Sequence, residues 1–136
     1  MIDQDAVNEL VDYAIAHGVN YFDTSPVYVQ GLSEKATGNA LKRHPRESFY
    51  ISTKLSNFSD YSRENSLAMY HQSFKDLQVD YIDYYLLHAI GGGGMEAFRQ
   101  VLEGCHERGM KLIMDVGVNH TSDEHEWFQT SRQRIE

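Results

Sequence analysis

In the sequence GVNYFDTSPVY, residues 18–28, a short apolar run is followed by a polar turn. Residues 19–22 predict a buried strand, because a short apolar run between a glycine and turn-forming residues is typical of one. Upstream, apolar residues recur at helical spacing over residues 7–15, and Gly18 is expected to end that helix. The stretch is therefore a helix-to-strand connection followed by a loop.

The alternation of helix and strand continues along the chain. The remaining predicted helices span residues 33–43, 62–78 and 95–109, and the remaining predicted strands span residues 49–53, 81–88 and 111–118. The expected caps are Ser33 and Ser62 at helix starts and Gly109 at a helix end, and the expected apolar stripe of the 62–78 helix is Leu67, Tyr70, Phe74 and Leu77. Short loops between alternating elements predict an α/β fold with about four parallel strands and right-handed crossovers. The pattern alone fits either an open doubly wound sheet or part of a (β/α)8 barrel.

Composition narrows the class of protein. The chain has 136 residues, of which 41% are hydrophobic, and this suits one domain of ordinary size. No stretch approaches the roughly 20 apolar residues that cross a membrane, and the acidic start does not resemble a secretory signal. Cys105 is the single cysteine, so no internal disulfide can form and a cytoplasmic location is expected. A net charge of −8 argues against nucleic acid as a partner.

Polar side chains follow three successive predicted strands. Asp23 and Tyr28 follow the first strand, Lys54 ends the second and His88 ends the third. Sites in both candidate architectures lie at these carboxyl ends. Singly, each side chain is more often a half-buried or solvated rim residue. Together they suit carbonyl reduction, because a phenol is a poor proton donor unless an ammonium group stabilises its phenolate.

Three segments resemble the aldo-keto reductases. GVNYFDTSPVYVQGLSEKATGNAL (18–41) is similar to the signature of that family, YISTKL (50–55) to its lysine strand and QVDYIDYYLLHAI (78–90) to its histidine strand. The resemblance runs over about residues 5–94 and implies a partial (β/α)8 TIM barrel that uses NADP(H). It also implies a catalytic tetrad of Asp23, Tyr28, Lys54 and His88, in which Tyr28 protonates a small carbonyl substrate.

A second resemblance begins after the glycine tract. CHERGMKLIMDVGVNHTSDEHEWFQTSRQ (105–133) is similar to the α-amylase-like glycoside hydrolases and α-glucosidases, over about residues 101–134. This resemblance implies that Asn119 supports a sugar site and that His120 contacts the sugar. We therefore expect a chimera, with a reductase-like partial barrel at residues 1–98 and an α-amylase-like βα segment at residues 99–136 that completes the same domain.

Three functions follow from these expectations. The first is carbonyl reduction, for which the chain has a complete tetrad. We expect the strands and loops that hold the nicotinamide and the phosphates in the family to be missing, and the activity to be weak or absent. Glycoside hydrolysis needs two carboxylates on strands that are not expected here. A non-catalytic half-barrel would pair with a second copy to cover its sheet edges. No metal is expected, because His120 and His125 share their loop by chance.

Overall fold

The computed structural model describes residues 2–60, 62–88, 94–113 and 125–132, and the chain divides into two compact units, Met1–Gly91 and Gly92–Glu136. The first unit contains α1 (Gln4–Ala16), β1 (Tyr21–Asp23), α2 (Ser33–Leu41), β2 (Tyr50–Leu55), α3 (Arg63–Leu77) and β3 (Tyr84–Leu87), with 3-10 turns at Tyr28–Gly31 and Arg46–Ser48. The second unit contains α4 (Gly94–Glu107) and α5 (Glu126–Arg132). No helix among the described residues is both long and apolar enough to cross a membrane.

The three strands form one parallel sheet in the order β1-β2-β3. Asp23 of β1 lies opposite Ser52 of β2, and Lys54 of β2 lies opposite Leu86 of β3. Parallel strands alternate with helices as expected, and the partial barrel-like α/β fold is confirmed. The register places all three carboxyl ends at one edge of the sheet, where the predicted site residues lie.

The core lies between the helices and one face of the sheet. Its buried members are Val11, Ala40, Leu41, Phe49, Ile51 and Leu77, with Val7, Ile15, Phe22, Val79 and Ile82 packed against them. Phe22 of β1 and Ile51 of β2 contribute to this core, and they lie opposite each other in the sheet, on the same face.

The prediction that the first strand is buried is wrong in part. Phe22 contacts the core, whereas Tyr21 is 47% exposed on the opposite face. Tyr50 and Tyr84 are also exposed there, and the Tyr84 ring centroid lies 5.6 Å from that of Tyr21 and 6.4 Å from that of Tyr50. These three side chains, the tyrosine face, are between 40% and 50% exposed to solvent.

Helix ends agree with the predictions in most cases. Gly18 has a φ of +90° and ends α1, with the Val19 amide donating to the Ala14 carbonyl at 3.0 Å. Ser62 caps α3, because its hydroxyl accepts from the Asn65 amide at 3.2 Å. The predicted cap at Ser33 is wrong: Ser33 is the first residue inside α2, and its hydroxyl instead lies 2.9 Å from the Thr24 hydroxyl.

The expected stripe of α3 is only partly buried. Leu77 is buried in the core, whereas Leu67 and Tyr70 are exposed. Tyr70 instead stacks edge-on with Phe74 and with Tyr85 of β3, at centroid distances of 5.0 and 5.1 Å. Around Tyr70, α3 therefore contacts the sheet through edge-to-face aromatic pairs and not through aliphatic side chains.

In the second unit, the described residues form two helices, α4 and α5. A turn follows α4, in which the Met110 amide donates to the Cys105 carbonyl at 2.9 Å, so the predicted end at Gly109 is confirmed. The predicted fourth strand does not begin at 111, since residues 111–113 have no regular secondary structure. Its remaining residues, 114–118, lie outside the described part of the chain.

Candidate active site

The four predicted catalytic residues all lie at the carboxyl edge of the sheet in the first unit. Asp23 is the last residue of β1, Lys54 is the penultimate residue of β2, and His88 directly follows β3. Tyr28 begins the 3-10 turn in the loop between β1 and α2. The predicted sugar contacts, Asn119 and His120, lie outside the described residues.

Lys54 is the centre of the cluster. Its Nζ donates to Asp23 Oδ2 at 2.6 Å and to the Thr24 carbonyl at 2.8 Å, and it lies 4.7 Å from the centroid of the Tyr28 ring. Ser52 Oγ donates to the other Asp23 oxygen at 2.5 Å. Both carboxylate oxygens are therefore occupied, and the ammonium group is fixed over the face of the phenol.

The Tyr28 loop has an unusual backbone. Val29 and Gln30 have φ values of 52° and 57°, which place two non-glycine residues in the left-handed region, and Gly31 follows with a φ of 85°. This conformation is rare for a β-branched residue such as Val29 and costs energy. The Tyr28 amide donates to the Ser25 carbonyl at 3.2 Å, and the Leu32 amide donates to the Val29 carbonyl at 3.2 Å. These bonds hold the strained loop in place.

His88 closes the cluster on the side of β3. Its ring meets the Tyr28 ring edge-on, with the centroids 5.8 Å apart and the planes at 86°, and the Phe58 ring lies 5.1 Å away. Its Nδ1 lies 2.7 Å from Ser56 Oγ. The imidazole is therefore held between two aromatic rings and a buried hydroxyl.

A buried carboxyl group, that of Glu34, contacts the residue that precedes Lys54. Glu34 of α2 is 2% exposed, and Thr53 Oγ1 donates to its Oε1 at 2.5 Å. Burial raises the pKa of Glu34 above its ordinary value, and the nearby negative charge of Asp76 raises it further, against the opposing effect of the Thr53 hydrogen bond. Burial likewise raises the pKa of the nearby Tyr85 phenol. Glu34 thus ties α2 to the strand that carries Lys54.

Several supporting residues were missed at the level of sequence. Ser52 could have been found, because it lies two residues before Lys54 and so shares its face of the strand. Glu34, Ser25 and Ser56 carry no such signal. Their importance follows from burial and from contacts with residues 19 to 32 positions away. Among the described residues, no group of three histidine, cysteine or acidic side chains could hold a metal ion.

Comparison with known proteins supports a reductase ancestry. The sequence model of the Aldo/keto reductase family matches residues 1–125. The chain is 34% identical over 120 residues to D-arabinose 1-dehydrogenase of Saccharomyces cerevisiae, covering 82% of this chain and 34% of that protein. It is 37% identical over 84 residues to L-galactose dehydrogenase of Arabidopsis thaliana, covering 58% of this chain and 26% of that protein.

A second set of relatives consists of sugar hydrolases. The chain is 42% identical over 64 residues to an α-glucosidase of Schizosaccharomyces pombe, covering 47% of this chain and 11% of that protein. It is 58% identical over 41 residues to an oligo-1,6-glucosidase of Bacillus cereus, covering 30% of this chain and 7% of that protein. Only residues 126–136 lie beyond the reductase family match, so most of the α-glucosidase match lies within it.

Solved structures agree with the family match. An aldo/keto reductase from Brucella melitensis has a TM-score of 0.57 and 29% identity, covering 79% of this chain and 41% of that chain. The thermostable aldo-keto reductase Tm1743, solved with the inhibitor epalrestat, has a TM-score of 0.59 and 27% identity, covering 77% of this chain and 39% of that chain. The matches thus span 34% and 26% of the two dehydrogenases, 11% of the α-glucosidase of Schizosaccharomyces pombe and about two fifths of these structures. With a family match over residues 1–125 and a shared fold, the chain belongs to the aldo/keto reductase family.

Proposed function

We propose that the cluster around Lys54 performs the proton-transfer half of an NADP(H)-dependent carbonyl reduction, with Tyr28 as the proton donor. The observation that carries the proposal is the position of the Lys54 ammonium, which contacts Asp23 at 2.6 Å and lies 4.7 Å from the Tyr28 ring centroid. A nearby ammonium group is what a tyrosine needs in order to act as a proton donor near neutral pH, because the positive charge stabilises the phenolate that forms as the proton leaves.

The cluster fits the reacting end of a nicotinamide cofactor better than its phosphates. Lys54 is largely buried and already engaged by Asp23 and by the Thr24 carbonyl, so it does not suit a phosphate ligand. The cofactor supplies the hydride when bound. The residues of this chain would orient the carbonyl oxygen and deliver a proton to it.

Each residue of the cluster has a distinct part in this proposal. Tyr28 Oη donates the proton to the carbonyl oxygen, and Lys54 stabilises the phenolate that remains. Asp23, held by Ser52, keeps the Lys54 side chain in place. His88 orients the carbonyl oxygen with a hydrogen bond. Since Tyr28 is 38% exposed, water reaches the proton donor, and we expect turnover to be slow.

Two measurements test the proposal. NADPH binding is followed by cofactor fluorescence, and turnover is measured with NADPH and an aldehyde, or with NADP+ and D-arabinose or L-galactose, for which the two dehydrogenase relatives are named. Tyr28→Phe should lower kcat about 10²–10⁴-fold, the usual loss for a general acid. Tyr21→Phe, on the tyrosine face, is the matched control and should retain the parent rate. Equal rates for Tyr28→Phe and the parent chain would refute the assignment.

We also propose that residues 99–136 derive from an α-glucosidase-like barrel. The matches to two glucosidases, with 42% identity over 64 residues and 58% identity over 41 residues, support a glucosidase-like origin for part of the chain, and each of them is longer than this segment. Asn119 and His120 would then be remnants of sugar contacts. Retaining hydrolysis needs a nucleophile and an acid about 5 Å apart. We expect no release of nitrophenol from a nitrophenyl α-glucoside, and glucosidase activity that is abolished by His120→Ala would contradict this expectation.

A second copy of the chain is the macromolecular partner that we propose. The tyrosine face is exposed, and in the described residues β1 and β3 are the outer strands of the sheet. Such edges and faces favour association between sheets. Light scattering after size exclusion should give twice the mass of 15.6 kDa, and Tyr84→Lys should reduce it. A well-folded monomer at high concentration would refute the dimer.

A further inference from the structure

Two buried serine hydroxyls form a line that ends at His88. Ser25 Oγ lies 3.0 Å from Ser56 Oγ, and Ser56 Oγ lies 2.7 Å from His88 Nδ1. Both serines are buried, with Ser25 fully inaccessible to solvent. They come from the loops that follow β1 and β2, so the line crosses the carboxyl edge of the sheet to reach the imidazole after β3.

The direction of the hydrogen bonds along this line follows from the hydrogens available. The Val27 amide donates to Ser25 Oγ at 3.4 Å, so this oxygen already acts as an acceptor. Each hydroxyl has one hydrogen to donate. Ser56 Oγ is the side-chain acceptor within reach of the Ser25 hydroxyl among the described residues, and no water reaches Ser25. The Ser25 hydrogen therefore goes to Ser56, and the Ser56 hydrogen goes to His88 Nδ1.

The opposite direction leaves a group unpaired. If His88 Nδ1 carried a proton and donated to Ser56, the contact between the two serines could use only one hydroxyl hydrogen, and the hydrogen of the other serine would have no acceptor among the described residues. Buried hydroxyls that lack a partner are disfavoured, since the lost bond to water is not replaced. The neutral imidazole is consequently an acceptor at Nδ1 and carries its proton on Nε2.

We propose that Ser56, oriented by Ser25, is a positioning residue that fixes His88 as the Nε2–H tautomer. This inference rests on the proposed function for its catalytic meaning. The Nε2–H group can donate to a carbonyl oxygen, while Nδ1, the basic nitrogen, is occupied by Ser56. His88 is then a hydrogen-bond donor in both directions of the reaction, and the proton of an alcohol substrate is taken by Tyr28 and not by His88.

The aromatic neighbours of His88 make this assignment geometrically stable. Tyr28 meets the imidazole edge-on and the Phe58 ring lies 5.1 Å away, so aromatic rings pack against the imidazole in the orientation that points Nδ1 to Ser56. The Ser56 amide donates to Met69 Sδ at 3.2 Å, which holds the backbone of Ser56 against α3. Ser56 is thus fixed independently of His88 and can act on it.

Nitrogen NMR of the full chain tests the tautomer without any need for turnover. Long-range proton–nitrogen spectra of protein labelled with 15N-histidine, with the His88 signals assigned by their loss in His88→Gln, should show Nε2 protonated and Nδ1 shifted by an accepted hydrogen bond. Ser56→Ala should move the Nδ1 resonance to the position of a nitrogen that accepts no hydrogen bond, and Ser25→Ala should move it part of the way. A protonated Nδ1 in the parent chain, or an Nδ1 resonance unmoved by Ser56→Ala, overturns the proposal.

A kinetic arm separates positioning from simple structural support. If the chain reduces aldehydes, Ser56→Ala should lower kcat roughly tenfold, similar to the loss of outer partners of metal-bound histidines, with NADPH affinity unchanged. Ser66→Ala is the matched control, because Ser66 Oγ accepts from Asn57 Nδ2 at 2.8 Å in the same region but has no contact with His88. An unchanged kcat in Ser56→Ala overturns the positioning role. A chain without turnover refutes the proposed function, and the NMR result still decides the tautomer.

Discussion

Replacing Gly38 with alanine should separate α2 from α3 and destabilise the first unit. Gly38 lies in α2 where the helix meets the end of α3. An alanine Cβ at this position would lie 2.5 Å from the Asp76 carbonyl oxygen and 2.6 Å from that of Leu77. Both contacts are to backbone atoms, which cannot rotate away, so the two helices must move apart.

Two opposing effects decide the size of the change. Alanine is the better helix former, which would stabilise α2 by about 1 kcal/mol. Ordinary contact begins near 3.4 Å, so the clash demands a shift of about 0.9 Å, and a gap of that size forfeits roughly a quarter to a half of each dispersion contact between the helices. Overpacking costs about 1–3 kcal/mol, and contacts this short with two backbone oxygens place the cost in the upper part of that range, about 2–3 kcal/mol. The clash wins, and we expect a net loss of about 1–2 kcal/mol.

Native-state hydrogen exchange measures this loss in the unit concerned. Amides of β2, at the centre of the sheet, should exchange about 5–30-fold faster in Gly38→Ala, as a loss of one to two kcal/mol requires. Gly104→Ala is the matched control, since Gly104 lies within α4 and its Cβ would meet, among the described residues, only the Arg108 side chain, at 3.6 Å. That variant should slow exchange in α4. A Gly38→Ala chain whose β2 amides are as protected as in the parent would refute the clash argument.

Two further predictions concern stability. Glu34→Gln should remove a pH dependence of the unfolding free energy. Because burial raises the pKa of Glu34, the contribution of this group to stability is fully present below the ordinary pKa of a glutamate and is lost as pH rises through the raised pKa. Urea titrations should therefore show the parent losing stability relative to Glu34→Gln at higher pH. Glu9→Gln, which makes the same substitution at an exposed position of α1, is the matched control, and parallel profiles for Glu34→Gln and the parent would contradict the prediction. Ser62→Ala should lower the unfolding free energy by about 1 kcal/mol through loss of the α3 cap, and Ser62→Asp, which can still accept from the Asn65 amide, should recover most of it in the same titrations.

The order of helices and strands was predictable because it depends on local spacing. A period of 3.6 or 2 in apolar residues reports which backbone conformation can bury them, and this holds for α1 to α4 and for the three strands. Asp23, Lys54 and His88 could be placed together for the same reason, since the ends of parallel strands share one edge. Strand limits were less predictable and differ by up to three residues, as at β3.

Other features depend on residues that are distant in the chain. An acidic residue at the start of α2 would ordinarily be solvated, yet Glu34 is buried, because α3 and β2 close over it and Thr53 supplies a hydrogen bond. Tyr21 was expected inside and lies outside, because the tyrosine face is exposed in this chain.

The succession of elements and the chemical identity of the cluster around Lys54 could thus be read from the amino-acid sequence. The contacts that hold the cluster became visible in three dimensions: the hydrogen bond from Ser52 to one oxygen of Asp23, the position of the Tyr28 ring beside the ammonium group, and the contact between Ser56 and Nδ1 of His88. Spacing along a chain reports backbone period, whereas hydrogen-bond direction and burial depend on the atoms that other segments bring within a few ångströms.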